Sequence, residues 1–224
     1  MIHTLRMELT LIQKIAIWAL PLIFAITLHE VAHGYMALLF GDHTAKLSRR
    51  LSLNPIKHID PLGTVIIPLF MLLISNFIFG WAKPVPVDPR NLHHPRRDMA
   101  FIALAGPLAN FIMALFWGLI AKLGLWAELA GGQWFGVPLI YMGGAGIMIN
   151  IVIGVLNLVP LPPLDGGKLL SSLLPPRAAY YLSFIEPYSF FILILLIFSG
   201  LLINVIAPII FFLVNLIGNL FGLS

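Results

Sequence analysis

The chain has 224 residues, 60% of them hydrophobic and only 10% charged, with a mean hydropathy of +0.99. So little polar surface cannot cover a water-soluble globule, and an all-α polytopic membrane protein is expected. Cysteine is absent, which excludes thiolate ligands, thiol nucleophiles and disulfides. The net charge of +4 does not call for nucleic acid, because eight of the thirteen Lys and Arg lie between Lys46 and Arg97 in two connecting loops, where basicity reports membrane orientation.

Residues 1–14, with Arg6, Glu8 and Lys14, are expected at the membrane interface, before a first span at 15–40 with a kink near Pro21. Nothing there resembles a cleavable signal peptide. Within that span stands His29-Glu30-Val31-Ala32-His33. Positions i and i+4 share one helix face about 6 Å apart, so both imidazoles can reach one metal ion, with Glu30 placed to serve as the base of a zinc hydrolase. Ionisable groups inside a membrane span are costly and mark a functional site by default.

The basic loops read as cytoplasmic by the positive-inside rule, which places the motif inside the membrane but open toward the cytosol. Residues 44–53 alternate partially and end at Asn54-Pro55, which predicts a short β segment and a turn. Ala82-Lys-Pro-Val-Pro-Val87 is predicted to be extended, since each proline disfavours helix in the residue before it. Between these two, 61–82 is uncharged but flanked by basic loops on both sides, so it reads as a re-entrant hairpin more readily than as a span.

The uncharged runs 99–121 and 129–164 hold one span each, and 187–224 holds up to two, with a turn expected at Ala207-Pro208. The total is five to six transmembrane or re-entrant segments in a single domain over 1–224, with the core at about 15–175 and further membrane segments at about 187–224. The small residues of Ala105-Gly106-Pro107-Leu108-Ala109-Asn110 predict close helix packing. Gly146, Asn150, Gly154 and Asn157 form a small and polar stripe that should face the bundle interior. Prolines 160, 162 and 163 then stop regular helix before Asp165-Gly166-Gly167.

A catalytic zinc usually takes three protein ligands, so two histidines need a partner. Asp165, on irregular backbone at a membrane helix end, is the first choice, with His43 and His58 as rivals. Asp42, Asp60, Asp88 and Asp98 lie in basic loops with surface roles available, Glu186 lies near the next interface, and His3, His93 and His94 read as surface residues. Asn157 could contribute an N–H to a developing oxyanion, or simply bond between helices. Paired histidines and acids in a membrane also suit a zinc or other divalent-metal transporter, which would need ligands repeated along a path, or a scaffold that only binds membrane helices.

The intramembrane HExxH, the downstream Asn157-(x)7-Asp165-Gly166-Gly167 block and the Gly106-Pro107 helix between them resemble the site-2 protease family of intramembrane zinc metalloproteases, peptidase M50. The resemblance covers about 15–175. It implies one zinc held by His29, His33 and Asp165, Glu30 as the base, Asn157 at the substrate, and a three-helix catalytic core in the plasma membrane. It also implies membrane-anchored protein substrates, cut within or near their transmembrane helices. Unwound substrate could add to an exposed edge at 44–53 or 82–87. The interval from Lys122 to Pro138 is too short for the PDZ domain that many relatives carry, so a compact PDZ-free member is implied.

Overall fold

The computed structural model describes residues 10–66 and 82–223. Helix α1 (Leu11–Leu39) opens on a reciprocal cap. The Thr10 hydroxyl accepts from the Gln13 N–H while the Gln13 side chain accepts from the Thr10 N–H, which satisfies two donors that the helix itself cannot. A single turn, α2 (Thr44–Leu47), follows, then the long helices α3 (Pro95–Leu129) and α4 (Gln133–Asn157). The short α5 (Asp165–Leu173) and α6 (Pro176–Ser183) lead to α7 (Ser189–Phe198) and α8 (Leu201–Phe221).

Among the described residues five stretches are long and apolar enough to cross a membrane: Ile12–Leu39, Pro95–Leu129, Gln133–Asn157, Pro176–Phe198 and Leu201–Phe221. Their outer faces leave Trp134, Phe211 and Leu220 exposed, as lipid contact requires. The closest association is between α3 and α4, and α1 packs on both, giving the expected three-helix core, with α5 laid against α3. A cluster around Trp117, Ile147, Ile151, Leu193, Ile206 and Ile210 ties α3 and α4 to α7 and α8.

Three expectations are corrected. No β strand occurs among the described residues. The segment 44–53 begins as α2 because the Asp42 carboxylate accepts both the backbone N–H and the hydroxyl of Thr44, starting a helical turn through the helix formers Ala45, Lys46 and Leu47. The segment 82–87 is extended but unpaired, since Pro84 and Pro86 remove alternate donors that a ladder would need. The reversal expected at Ala207-Pro208 falls instead at Gly200, whose φ of +73° suits a residue without a Cβ, while α8 continues through Pro208. Of the apolar run 61–82, Pro61–Ile66 forms a π-helical turn, and 67–81 lie outside the described residues.

Asp42 and Asp98 are also not surface groups; both are fully buried. Asp98 accepts from the His94 N–H and pairs with Arg97 at the start of α3. Asp42 gathers the Asp88 N–H at 2.8 Å and the Asn91 amide at 3.0 Å, besides Thr44, and so fastens the chain before α3 to the end of α1. Burial pushes its pKa up, but the donors from Thr44, Asn91 and Asp88 outweigh this and hold it below the usual carboxylate value. A depressed folded-state pKa stabilises the protein above the unfolded value, and that contribution is lost as pH falls through the folded one. Asp42→Ala strands buried donors and is expected to cost about 2 kcal/mol. The thermal midpoint in detergent should fall at pH 7, and the deficit relative to wild type should shrink in acid.

Candidate metal centre

The spacing of four residues places His29 and His33 on one face of α1, where α3 crosses at Gly106. The first residue of α5, Asp165, meets them there. All three side chains are buried. His29 Nε2 lies 3.1 Å and His33 Nε2 3.0 Å from Asp165 Oδ2, and the two Nε2 atoms are 3.1 Å apart.

The direction of the surrounding hydrogen bonds decides what those atoms can do. Asn150 Nδ2 donates to Gly146 O at 2.8 Å, so its Oδ1 is free to accept from Asn110 Nδ2 at 3.0 Å. Asn110 Nδ2 also donates to Ala25 O at 3.1 Å, which leaves Asn110 Oδ1 to accept from His29 Nδ1 at 2.7 Å. His33 Nδ1 likewise donates to Ile102 O at 2.6 Å. With the proton of each neutral ring on Nδ1, both Nε2 atoms present lone pairs. Three acceptors then face one another with no proton between them, a repulsive arrangement that a cation relieves.

The separations suit a metal ion. Nitrogen and oxygen ligands about 2.0–2.1 Å from a tetrahedral ion stand about 3.3–3.4 Å apart, close to the triangle observed. Carbonyl or amide oxygens behind each Nδ1 are the usual outer contacts of ligating histidines. Among the described residues this is the one group of three or more His, Asp or Glu side chains close enough to share an ion.

The rivals for third ligand lie elsewhere. His43 Nδ1 bonds to Gly41 O, and the buried His58 donates through Nε2 to Ser52 O. Glu30 stands beside the cluster, with Oε2 accepting from the Val85 N–H at 2.7 Å. The second oxygen of Asp165, Oδ1, takes Lys168 Nζ at 3.0 Å, so only Oδ2 is turned to the histidines. Asn157, the last residue of α4, donates back to Ile153 O at 3.0 Å and does not touch the His-His-Asp group.

Two residues escaped the sequence reading. The sequence places Gly106 in the Gly106-Pro107 helix and Asn110 in a cluster of small residues without giving either a role at the centre, yet a Cβ at Gly106 would lie 2.4 Å from His33 Nε2, and Asn110 fixes the His29 tautomer. A signal for Asn110 existed: it is an amide in an uncharged span, one turn after a glycine. Asn110→Ala is expected to weaken metal binding about 10- to 100-fold, read by competition with a chelating dye.

The model of peptidase family M50 matches residues 133–196. Over 179 residues, 79% of this chain and 78% of the other, the sequence is 38% identical to the Bacillus subtilis protein named "Putative zinc metalloprotease YwhC". The chain belongs to peptidase family M50. This M50 chain is also 28% identical, over 79% of its length and 64% of the relative's, to a Mycolicibacterium smegmatis protein named Rip2. It is 23% identical, over 77% of its length and 39% of the relative's, to "Zinc metalloprotease MJ0392" of Methanocaldococcus jannaschii. No solved structure matches it. The matched M50 region holds Asn157 and Asp165, while the two histidines lie upstream in α1.

Proposed function

We propose that this M50 protein is an intramembrane zinc metalloprotease, which uses His29-Glu30-x-x-His33 and Asp165 to cut membrane-anchored proteins within or near their transmembrane helices, as in regulated intramembrane proteolysis. The observation that carries the reading is the convergence of three buried acceptor atoms from α1 and α5 within 3.1 Å of one another, beside an acid. His29 Nε2, His33 Nε2 and Asp165 Oδ2 would hold one zinc per chain. A bound zinc supplies Lewis acidity toward a peptide carbonyl and lowers the pKa of a water in the site.

The protein's own groups do the rest. Glu30 Oε2 is engaged by the Val85 N–H, and Oε1 has no protein donor among the described residues. Oε1 therefore takes the proton of the attacking water and delivers it to the leaving amine nitrogen. Lys168 keeps Asp165 Oδ1 occupied, and the Asn110 and Ile102 oxygens keep both imidazoles in the ligating tautomer. Asn157, released from Ile153 O, binds substrate backbone or the developing oxyanion. The basic loops around 46–57 and 83–97 orient the site toward the cytoplasm in the plasma membrane.

A divalent-metal transporter is the competing reading, and a single ligand cluster among the described residues argues against it. The deciding experiment reconstitutes the full chain in liposomes with zinc and a panel of transmembrane peptides. Peptide cleavage at a stoichiometry of one zinc per chain, without zinc flux, is the expected result. Flux without cleavage of any peptide would overturn it.

A further inference from the structure

Residues Lys83–Val87, at the start of the second basic loop, form an extended strap along α1, and among the described residues the strap reaches the centre through a backbone amide on Glu30. Val85 N donates to Glu30 Oε2 at 2.7 Å, in a region where Val85 is only 7% exposed. The strap is held on both sides of that amide. Arg50 Nη2 donates to Lys83 O at 2.7 Å and to Pro84 O at 3.3 Å, Arg50 Nη1 reaches Lys57 O, and the Lys83 N–H donates to His58 O at 2.9 Å. Further along, Asp42 takes the Asp88 N–H.

The side chain of Val85 is seated as firmly as its amide. Gly34 lies one turn after Glu30 on the same face of α1, and a Cβ there would stand 2.9 Å from Val85 Cγ1 and 2.4 Å from Leu51 Cδ2. The absent side chain at Gly34 therefore lets the strap lie directly against the helix at the level of the acid. Pro84 and Pro86 stiffen the segment and leave Val85 the only N–H between those of Lys83 and Val87.

A glutamate has three rotatable side-chain bonds, and a base that swings freely is seldom in line with the proton it must take. Among the described residues only Oε2 of Glu30 accepts a hydrogen bond, which leaves Oε1 open to them. This is the arrangement of an aimed base rather than a blocked one. We propose that the Lys83–Val87 strap, pinned by Arg50, is a positioning element that sets the orientation of Glu30 through the Val85 N–H. The proposal rests on the protease reading for the use of that orientation, but the contact itself can be tested without any turnover.

Hydrogen exchange on the zinc-loaded full chain reads the contact directly, because Pro84 and Pro86 leave Val85 the single exchangeable backbone amide between Lys83 and Val87. The Val85 amide is expected to exchange slowly in the wild type and at least about tenfold faster in Glu30→Ala. With a cleavable transmembrane peptide, Val85→Pro, which lacks the N–H, should lower kcat about 100-fold with KM and zinc content unchanged. Val85→Ala keeps the amide and should lose at least about tenfold less than Val85→Pro.

Because Val85→Pro can also misfold, Arg50→Gln provides a second route. It should lower kcat with zinc retained, and Arg50→Lys should recover part of the loss. Exchange at the unstructured rate in the wild type, or indifferent to Glu30→Ala, would overturn the proposal. So would wild-type or raised kcat in Val85→Pro, the latter meaning that the strap obstructs the site, or zinc loss accompanying the kcat loss in both variants. A wild type that cleaves no peptide overturns the protease reading, while slow, Glu30-dependent exchange would still uphold the clamp.

Discussion

Glu30→Gln is expected to lower kcat on a transmembrane peptide by about 10³-fold, with zinc content and KM close to wild type. Gln has the shape of Glu, and its carbonyl oxygen can still accept the Val85 N–H that Glu30 Oε2 accepts at 2.7 Å. The strap and α1 should therefore stay in place. What disappears is a basic oxygen, since an amide does not take a proton near neutral pH. In the proposed site His29 and His33 would hold the metal through the Nε2 atoms turned to Asp165, which this substitution does not alter, so the metal should remain. Zinc analysis and single-turnover cleavage on the same preparation separate the two effects. Full activity in this variant would assign the base elsewhere, and loss of zinc would make Glu30 part of the ligand set.

The second large effect is expected from the smallest change, Gly106→Ala. A Cβ at 106 would lie 2.4 Å from His33 Nε2 and 2.6 Å from His29 Cε1, distances that no packed atoms sustain. The rings cannot retreat cheaply, because Asn110 Oδ1 holds one Nδ1 at 2.7 Å and Ile102 O holds the other at 2.6 Å. Either those bonds break or the two Nε2 atoms leave Asp165. Zinc affinity should fall by more than about 100-fold, beyond the usual effect of losing an outer contact. Alanine favours helix more than glycine, so α3 should keep or gain helicity, and circular dichroism will separate loss of the site from loss of the fold. Gly144→Ala, where a Cβ meets nothing within 4 Å, is the control and should retain zinc.

Glu30 and Gly106 fall on opposite sides of the limit of what the chain alone discloses. His29 and His33 were legible because helical periodicity turns a spacing of four into a shared face, and because few polar groups interrupt the spans. Asp165 stood out because prolines and glycines break the helix just before it, and the structure brings it to the same point as the histidines. Asn150 was legible as an inward-facing member of a small-residue stripe, and it is fully buried.

Gly106 and Asn110 were not legible as parts of the site, because their importance depends on the depth at which α3 crosses α1, and no local pattern encodes that depth. The short segments failed for a related reason. In 44–53 a few alternating residues suggest a strand, but the fully buried Asp42 turns the local backbone by accepting from the Thr44 N–H two residues on, and burial of an acid in a basic loop cannot be inferred from composition. The extended course of 82–87 is legible from its prolines, yet the contact with Glu30 links positions 55 residues apart and is invisible to any local pattern.

Asp165, the third ligand of the proposed site, stands 132 residues after His33, and this has a consequence for biogenesis. A ribosome that has delivered α1 to the membrane must still synthesise α3 and α4 before the aspartate exists. During that interval two imidazoles sit in a nascent bundle without their acid. With the proposed ligand set, complete metal loading must therefore wait until α5 has been made and has closed onto α1.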